Sequence, residues 1–301
     1  MSTAFVATFV VAPSRPTLSD AFLARAAQAA PAGATTGWLD RGVAADLMFE
    51  TSEEIGPFRA RLEQAAREAE TDVIVQPLAT RAKRLLVADM DSTLIGQECI
   101  DELAAAIGIG ERVAAITERA MRGEIEFEGA LRERVGLLAS LPLSAIGEVL
   151  EKRITLNPGA RALVATMRAR GGYVAIVSGG FTPFTGEIAR RLGADEHRAN
   201  QLVVEADRLT GRVIEPILGA NAKLEALHEI SAQLGLTRAQ TMGVGDGAND
   251  LPMLAASGLG IAYRAKPKVA AAADARVDHG DLTALLYAQG YRREEFVLGT
   301  N

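Results

Sequence analysis

The chain has 301 residues, 49% of them hydrophobic and 23% charged, which excludes a disordered or fibrous protein and, at roughly 100–200 residues per domain, suggests two domains. A formal net charge of −6 argues against nucleic acid as a general partner, because phosphate backbones attract basic faces. No apolar run approaches the roughly 20 residues of a membrane-spanning helix, so no membrane role is expected, and the single cysteine, Cys99, cannot close an internal disulfide, which fits a reducing cytoplasm.

In chain order, the apolar start from Met1 to Val11 lacks the basic opening and small-residue cleavage site of a signal peptide, and Phe5 to Val11 reads as a strand. Leu18 to Ala30 has helical spacing and ends at Pro31 and Gly33. Gly37 to Asp40 and Ala44 to Glu50 read as paired strands, Ile55 to Ala69 as an amphipathic helix with Ser52 as its N-cap, and Thr71 to Gln76 as a strand. The order β-α-β-β-α-β is that of a ferredoxin-like unit, and residues 1–80 resemble the amino-acid-sensing ACT domains in that order alone. The polar stretch from Pro77 to Lys83 is expected to be a linker.

From residue 84 to 301 strands and helices alternate, which implies a Rossmann-like parallel sheet with helices on both faces, an α/β fold. Leu85 to Asp89, Tyr173 to Ser178 and Thr241 to Asp246 read as strands that each end in a polar residue beside small ones. Ligands of open parallel sheets bind beyond the carboxyl ends of the strands, so Asp89, Ser178 and Asp246 should meet. Between the first two strands, residues from about 95 to 156 hold four predicted helices, Asp101 to Ile107, Glu111 to Arg122, Phe127 to Ser140 and Ser144 to Arg153. That exceeds a βαβ crossover and implies an inserted helical cap. Leu202 to Ile214 reads as a hairpin turning at Asp207 to Gly211.

Four segments carry chemistry. Asp89-Met90-Asp91-Ser92-Thr93-Leu94 places two carboxylates at i and i+2 after a buried strand, where a cation or a proton must relieve their repulsion. A hard, oxygen-ligated ion such as Mg2+ would serve, with Asp89 attacking phosphorus and Asp91 exchanging a proton with the leaving oxygen. Ser178-Gly179-Gly180 offers a hydroxyl and backbone N–H groups to phosphate oxygens. Lys223, near a predicted helix start, would stabilise crowded negative charge. Gly243 to Asp250 adds acids on a tight loop, without the G-x-G-x-x-G spacing of a dinucleotide site. Taken singly, the two acidic segments are equally well read as a cap or a turn, and the Ser178 and Lys223 segments are better read as a plain turn and solvated surface.

In combination, their order and placement on successive strand ends resemble the haloacid-dehalogenase-like phosphatases over residues 84 to about 290. Asp89 to Leu94 followed by Glu98, and Phe127-Glu128-Gly129-Ala130-Leu131-Arg132-Glu133-Arg134-Val135, resemble the phosphoserine phosphatases of that superfamily. The resemblance implies that Asp89 is nucleophile and magnesium ligand, and that Asp91 is general acid/base with its backbone carbonyl on the metal. It makes Asp246 the third protein ligand, and Asp250 an orienting residue behind the ligands. Ser178, the Gly179 N–H and Lys223 would hold phosphate, and Asn249 would touch phosphate and substrate. Glu98 would read a substrate ammonium and Arg134 a carboxylate, with Met121 and Phe127 closing the pocket. The pairing suits phosphoserine, which carries both charges, and arginine suits a planar carboxylate bidentately.

The implied reaction is hydrolysis of L-phosphoserine, the last step of phosphorylated serine biosynthesis. Two alternatives stay open: a phosphatase or phosphotransferase acting on another small phosphomonoester, and an amino-acid-sensing regulatory protein. A phospho-accepting receiver fits less well, since the cap and Asp91 would shorten the life of an acyl phosphate. A homodimer through residues 1–80 is expected if the apolar face of that unit meets a second copy. The alternative is that this face packs on its own catalytic part. His197, His228 and His279 show no metal spacing and receive no role.

Overall fold

The computed structural model describes residues 2–121, 124–219 and 221–299, with the side chain of Met121 outside the described residues. The chain opens with β1 (Thr3–Val10), α1 (Asp20–Ala29), β2 (Thr35–Asp40), β3 (Ala44–Thr51), α2 (Ile55–Glu68) and β4 (Asp72–Pro77). These strands form an antiparallel sheet in the order β2-β3-β1-β4, a split βαβ arrangement that matches the ferredoxin-like reading. Ser19 caps α1, its Oγ accepting from the Phe22 N–H at 3.2 Å. The predicted cap Ser52 plays no such part. Glu54 precedes α2 without a side-chain cap bond, and Thr51 Oγ1 instead takes the Glu53 N–H.

The larger part continues with β5 (Leu85–Ala88), α3 (Cys99–Ala106), α4 (Gly110–Met121), α5 (Phe127–Gly136), α6 (Ser144–Lys152), α7 (Ala160–Ala169), β6 (Tyr173–Phe181), α8 (Thr182–Leu192), β7 (Glu196–Asn200), β8 (Leu202–Glu205) and β9 (Arg208–Val213). It ends with α9 (Ala222–Gln233), β10 (Thr241–Gly245), α10 (Leu251–Ala256), β11 (Leu259–Tyr263), α11 (Pro267–Ala272), β12 (Ala275–Val277) and α12 (Ala284–Ala288). Six strands form a parallel sheet in the order β12-β11-β10-β5-β6-β7. Counted in chain order this is the doubly wound order 3-2-1-4-5-6, whose topological switch lies between β5 and β10.

Both faces of β5 are covered. Leu85 and Val87 pack with Leu227, Ile230 and Met253 from α9 and α10, while Leu86 and Ala88 join the core of Leu163, Met167, Ile188 and Leu285 from α7, α8 and α12. This explains why the strand reads as a continuous apolar run.

The four helices α3–α6 lie where the sequence places them, except that α5 stops at Gly136, short of the expected Ser140. The cap returns to the core beside its point of exit. The Gln97 side chain brackets Thr155, accepting from its N–H at 2.9 Å and donating to its Oγ1 at 2.8 Å, and the Asn157 amide holds the Thr93 and Ile95 carbonyls. The hairpin β8–β9 turns at Ala206 and Asp207, not over Asp207 to Gly211. Both turn residues have positive φ, 48° and 59°, as a two-residue turn matched to strand twist requires. Its second strand is fastened to the cap through Ser140 N–H to Leu209 O and Leu209 N–H to Leu141 O.

Residues 77–83 are no free linker. Arg81 forms a bidentate pair with Asp46 at 2.7 and 3.0 Å and donates to the carbonyls of Tyr287 and Ala288 at the end of α12. Gln76 also reaches Ala288 O, and the Asp72 carboxylate collects the N–H groups of Asp278, His279 and Gly280. Val10, Ala44 and Ile74 share one core with α12. The helix-free face of the small sheet thus rests on the larger part of its own chain, which is the alternative to the expected pairing of that face with a second copy.

Candidate active site

The site is built at the sheet's switch point. Asp89 leaves β5 with its N–H bonded to Val244 O at 3.0 Å, and its Oδ1 accepts the Met90 N–H at 2.8 Å. Lys223, in the first turn of α9, is buried beneath it. The ammonium lies 2.8 Å from Asp89 Oδ2 and 2.5 Å from Asp250 Oδ1. Asp250 turns its other oxygen to the Gly247 N–H at 2.9 Å, fixing the loop after β10. A Cβ at Gly245 would collide with the Asp250 carboxyl group, so the loop needs glycine there. Asp246 emerges from β10, and Asp89, Asp246 and Asp250 each offer an oxygen within 4.8 Å of the others.

Asp91 faces the second strand end. Its Oδ2 accepts from Ser178 Oγ at 3.2 Å and its Oδ1 from the Cys99 N–H at 3.0 Å. Ser178 Oγ in turn accepts the Gly180 N–H at 2.9 Å. Gly180 is the other necessary glycine, since a Cβ there would stand 2.9 Å from Asp91 Oδ2. Asn200, buried at the end of β7, donates to Gly179 O at 2.9 Å and accepts the Leu218 N–H at 2.8 Å, which steadies the turn.

Above these groups lies a cavity of about 580 Å³ between core and cap. Asp89, Asp91, Ser178, Gly179, Asp246 and Asn249 line its floor, and Glu98, Phe127 and Arg134 line the cap side. The Phe127 ring closes on the phosphate-loop candidate, its Cζ 3.2 Å from where a Gly179 Cβ would stand. Glu98 accepts from Ser92 Oγ at 2.7 Å, and Ser92 holds a left-handed φ of 54° that aims the hydroxyl. The Arg134 guanidinium reaches only Ala130 O of its own helix at 3.3 Å and Thr117 Oγ1 at 3.4 Å, and it has no ion pair among the described residues. The Met121 side chain, predicted to close the pocket, lies outside the described residues.

Burial dominates the electrostatics. Loss of water raises Asp89 well above the carboxylate range, with Asp250 and Asp91 adding to the rise and Lys223 opposing it. Asp91 is raised by burial against the pull of Cys99, Ser178 and Lys223. Asp246 is raised by burial and Asp250. For Lys223, burial favours the neutral amine, but Asp89 and Asp250 together outweigh it and its pKa is raised. Glu98 reaches solvent at the mouth, yet its carboxyl lies inside the cavity, where desolvation and Asp91 push it up to about 7. Arg134 is lowered by burial, against the attraction of Asp101 and Glu98.

A donor set of clustered carboxylate oxygens suits a hard divalent cation, and the carboxylates raised by burial describe a centre short of positive charge. The fit to a metal is therefore good.

Sequence reasoning missed Asp101, Thr117 and Lys266, which also line the cavity. Asp101 was read only as a helix start. Lys266 follows β11, and the same strand-end rule that found Asp246 would have found it had β11 been recognised. Cys99 is buried, and its N–H also fixes Asp91.

The fold and the site define a class. Residues 86–255 match the haloacid dehalogenase-like hydrolases, and the chain belongs to that family. It is 44% identical over 243 residues to the phosphoserine phosphatase SerB2 of Mycobacterium tuberculosis, covering 80% of this chain and 59% of that protein. The chain thus spans less than two thirds of that curated relative's length. Among solved structures, a HAD family hydrolase from Salmonella enterica serovar Typhi superposes with a TM-score of 0.86 at 27% identity, covering 95% of this chain and 98% of that one. A phosphoserine phosphatase carrying an analogue of the phospho-aspartyl intermediate is 42% identical with a TM-score of 0.63, over 68% of this chain and 98% of that chain. No helix among the described residues is long and apolar enough to cross a membrane.

Proposed function

We propose that this chain is a magnesium-dependent phosphatase that hydrolyses L-phosphoserine to L-serine and phosphate through a phospho-Asp89 intermediate. The observation that carries it is one cavity joining the Asp89–Asp91–Lys223 centre to Glu98 and Arg134, a carboxylate and a guanidinium placed on the cap side. The names of the relatives point the same way.

In the first step an Asp89 oxygen attacks phosphorus, the bond to the serine oxygen breaks, and Asp91 gives that oxygen its proton. Burial that raises Asp91 favours the protonated acid this step needs. In the second step Asp91 takes a proton from water as the water oxygen attacks phosphorus. The bond to Asp89 then breaks and phosphate leaves. Ser178, the Gly179 N–H and Lys223 hold the phosphoryl oxygens, and Asn249 touches phosphate and substrate. Asp89, Asp246 and the Asp91 carbonyl would hold Mg2+, with Asp250 orienting Lys223 and the loop behind them. The bound ion supplies the positive charge that keeps Asp89 ionised and offsets the phosphoryl charge. Glu98 takes the substrate ammonium and Arg134 its carboxylate, while Phe127 closes the pocket.

The same reading divides the chain into an ACT-like unit, residues 1–80, and a phosphatase core, residues 84–301, with the cap at about 95–156. It is supported by the separation of the four-stranded from the six-stranded sheet and by the element order of the first.

Phosphate release from L-phosphoserine, with and without Mg2+ and beside phosphothreonine, glycerol phosphate and an aryl phosphate, tests the proposal. Metal-dependent turnover with phosphoserine preferred by kcat/KM is expected. Equal kcat/KM across the panel would refute the substrate assignment, and turnover in chelator would refute the metal.

A further inference from the structure

Five carboxylates line the cavity, Asp89, Asp91, Glu98, Asp101 and Asp246, and a phosphomonoester arrives there as a dianion. Among the described lining residues only two are cations, Arg134 on the cap and Lys266 on the core. Lys223 reaches the centre from beneath, between Asp89 and Asp250, and does not line the cavity. Lys266 stands where β11 turns into α11, and its backbone N–H is anchored to Asp246 O at 3.2 Å. Its side chain is exposed, and its ammonium has no hydrogen bond or ion pair among the described residues. A lysine held by its backbone beside an acidic centre, its charge near Asp246 but its ammonium bonded to no carboxylate among the described residues, is placed to meet an incoming anion.

We propose that Lys266 is a capture residue for the phosphate group, its ammonium at the core-side lip offsetting the repulsion between the dianion and the carboxylates. The inference rests on the reading of the site as a phosphomonoesterase, not on the identity of the alcohol. An exposed charge acts through a largely aqueous medium, so its effect is modest and screened by salt. A role confined to the backbone anchor would survive any side-chain substitution. These two features separate capture from scaffolding.

The test uses the full chain with Mg2+, an aryl phosphate as substrate and inorganic phosphate as competitor, in K266Q and K266R. At an ionic strength of about 10 mM, K266Q should raise KM for the aryl phosphate and Ki for inorganic phosphate about fivefold. The gap should close at about 1 M, where the Debye length is about 3 Å. K266R should restore both constants. Unchanged constants with a parallel salt dependence in K266Q would overturn the proposal. So would a loss that persists at high salt, or one that vanishes when Mg2+ is raised, since that would place Lys266 on the metal loop and not on the phosphate. Wild-type protein that hydrolyses the aryl phosphate but not phosphoserine would refute the substrate assignment above and leave this inference to stand or fall on its own constants.

Discussion

Replacing Arg134 with alanine should separate substrate recognition from folding. In most proteins, removing a half-buried arginine strands a carboxylate partner and destabilises the fold. Among the described residues Arg134 has no such partner, because its only hydrogen bonds there are long contacts to Ala130 O and Thr117 Oγ1, and burial already works against its charge. The substitution should therefore change stability by less than about 1 kcal/mol. The substrate carboxylate is then the group left unpaired. Losing one partner of a desolvated, hydrogen-bonded charge pair costs roughly 2–5 kcal/mol. At 1.36 kcal/mol per factor of ten, kcat/KM for phosphoserine should fall by about 30-fold to 5,000-fold. An aryl phosphate, with no carboxylate to read, should lose less than about threefold, within about 0.7 kcal/mol. R134K should recover only part of the loss, since an ammonium cannot form the two parallel bonds of a guanidinium. The measurements are steady-state kinetics on both substrates and thermal melts of both variants. Equal losses on the two substrates, or a fall in the melting midpoint large enough to account for the kinetics, would refute the assignment.

Asp89→Asn should stay folded, since Lys223 keeps its pair with Asp250, and should release no phosphate; turnover within about tenfold of wild type, about 1.4 kcal/mol in barrier, would exclude Asp89 as nucleophile. Glu98 has a pKa raised to about 7, so the ionised form that binds ammonium is lost as pH falls through that value. The ratio of KM for phosphoserine to KM for an aryl phosphate should thus climb as pH falls from about 7.5 to about 5.5 and be flat in E98Q; a flat ratio in the wild type would contradict the role. Arg81→Ala strands the buried Asp46 carboxylate and should cost about 3–5 kcal/mol, lowering the melting midpoint by about 6 °C or more. The double replacement R81M/D46L should recover most of it, and a single-variant loss under about 2 °C would show that the small sheet is not bound to the core through this pair.

How much was legible in the sequence follows from how local each signal is. Asp89, Ser178 and Asp246 could be placed together because each ends a buried apolar run, and a strand's side-chain alternation is fixed by its own residues. The four cap helices were legible for the same reason, through a repeat contained within each segment. Their packing was not. Nothing near Pro142 announces that residues 140–141 will bond to Leu209, since that contact joins segments nearly 70 positions apart. The strands β7, β11 and β12 are short and interrupted by charged or small residues, so they carried too little pattern to be read, and Lys266 was lost with β11.

The stretch from Pro77 to Lys83 failed for an instructive reason. Its polarity suggests solvent, but Arg81 is polar because it must serve the Asp46 carboxylate and the last carbonyls of α12 at once. A helix ending against another unit of the fold needs donors for those carbonyls, and here the donors come from outside the helix. The same holds for Asp72, whose carboxylate is occupied by three consecutive N–H groups of the 278–280 turn. That turn is tied in its own right to the site: Arg264 donates its N–H to Val277 O and its Nη2 to Gly280 O, two residues before Lys266 meets Asp246. A chain begun at Thr80 would keep every residue proposed to touch substrate. It would also take Asp46 from the Arg81 guanidinium, Asp72 from the 278–280 turn, and the small sheet from the apolar face of α12. The small sheet therefore supports the larger part through the packing of its helix-free face.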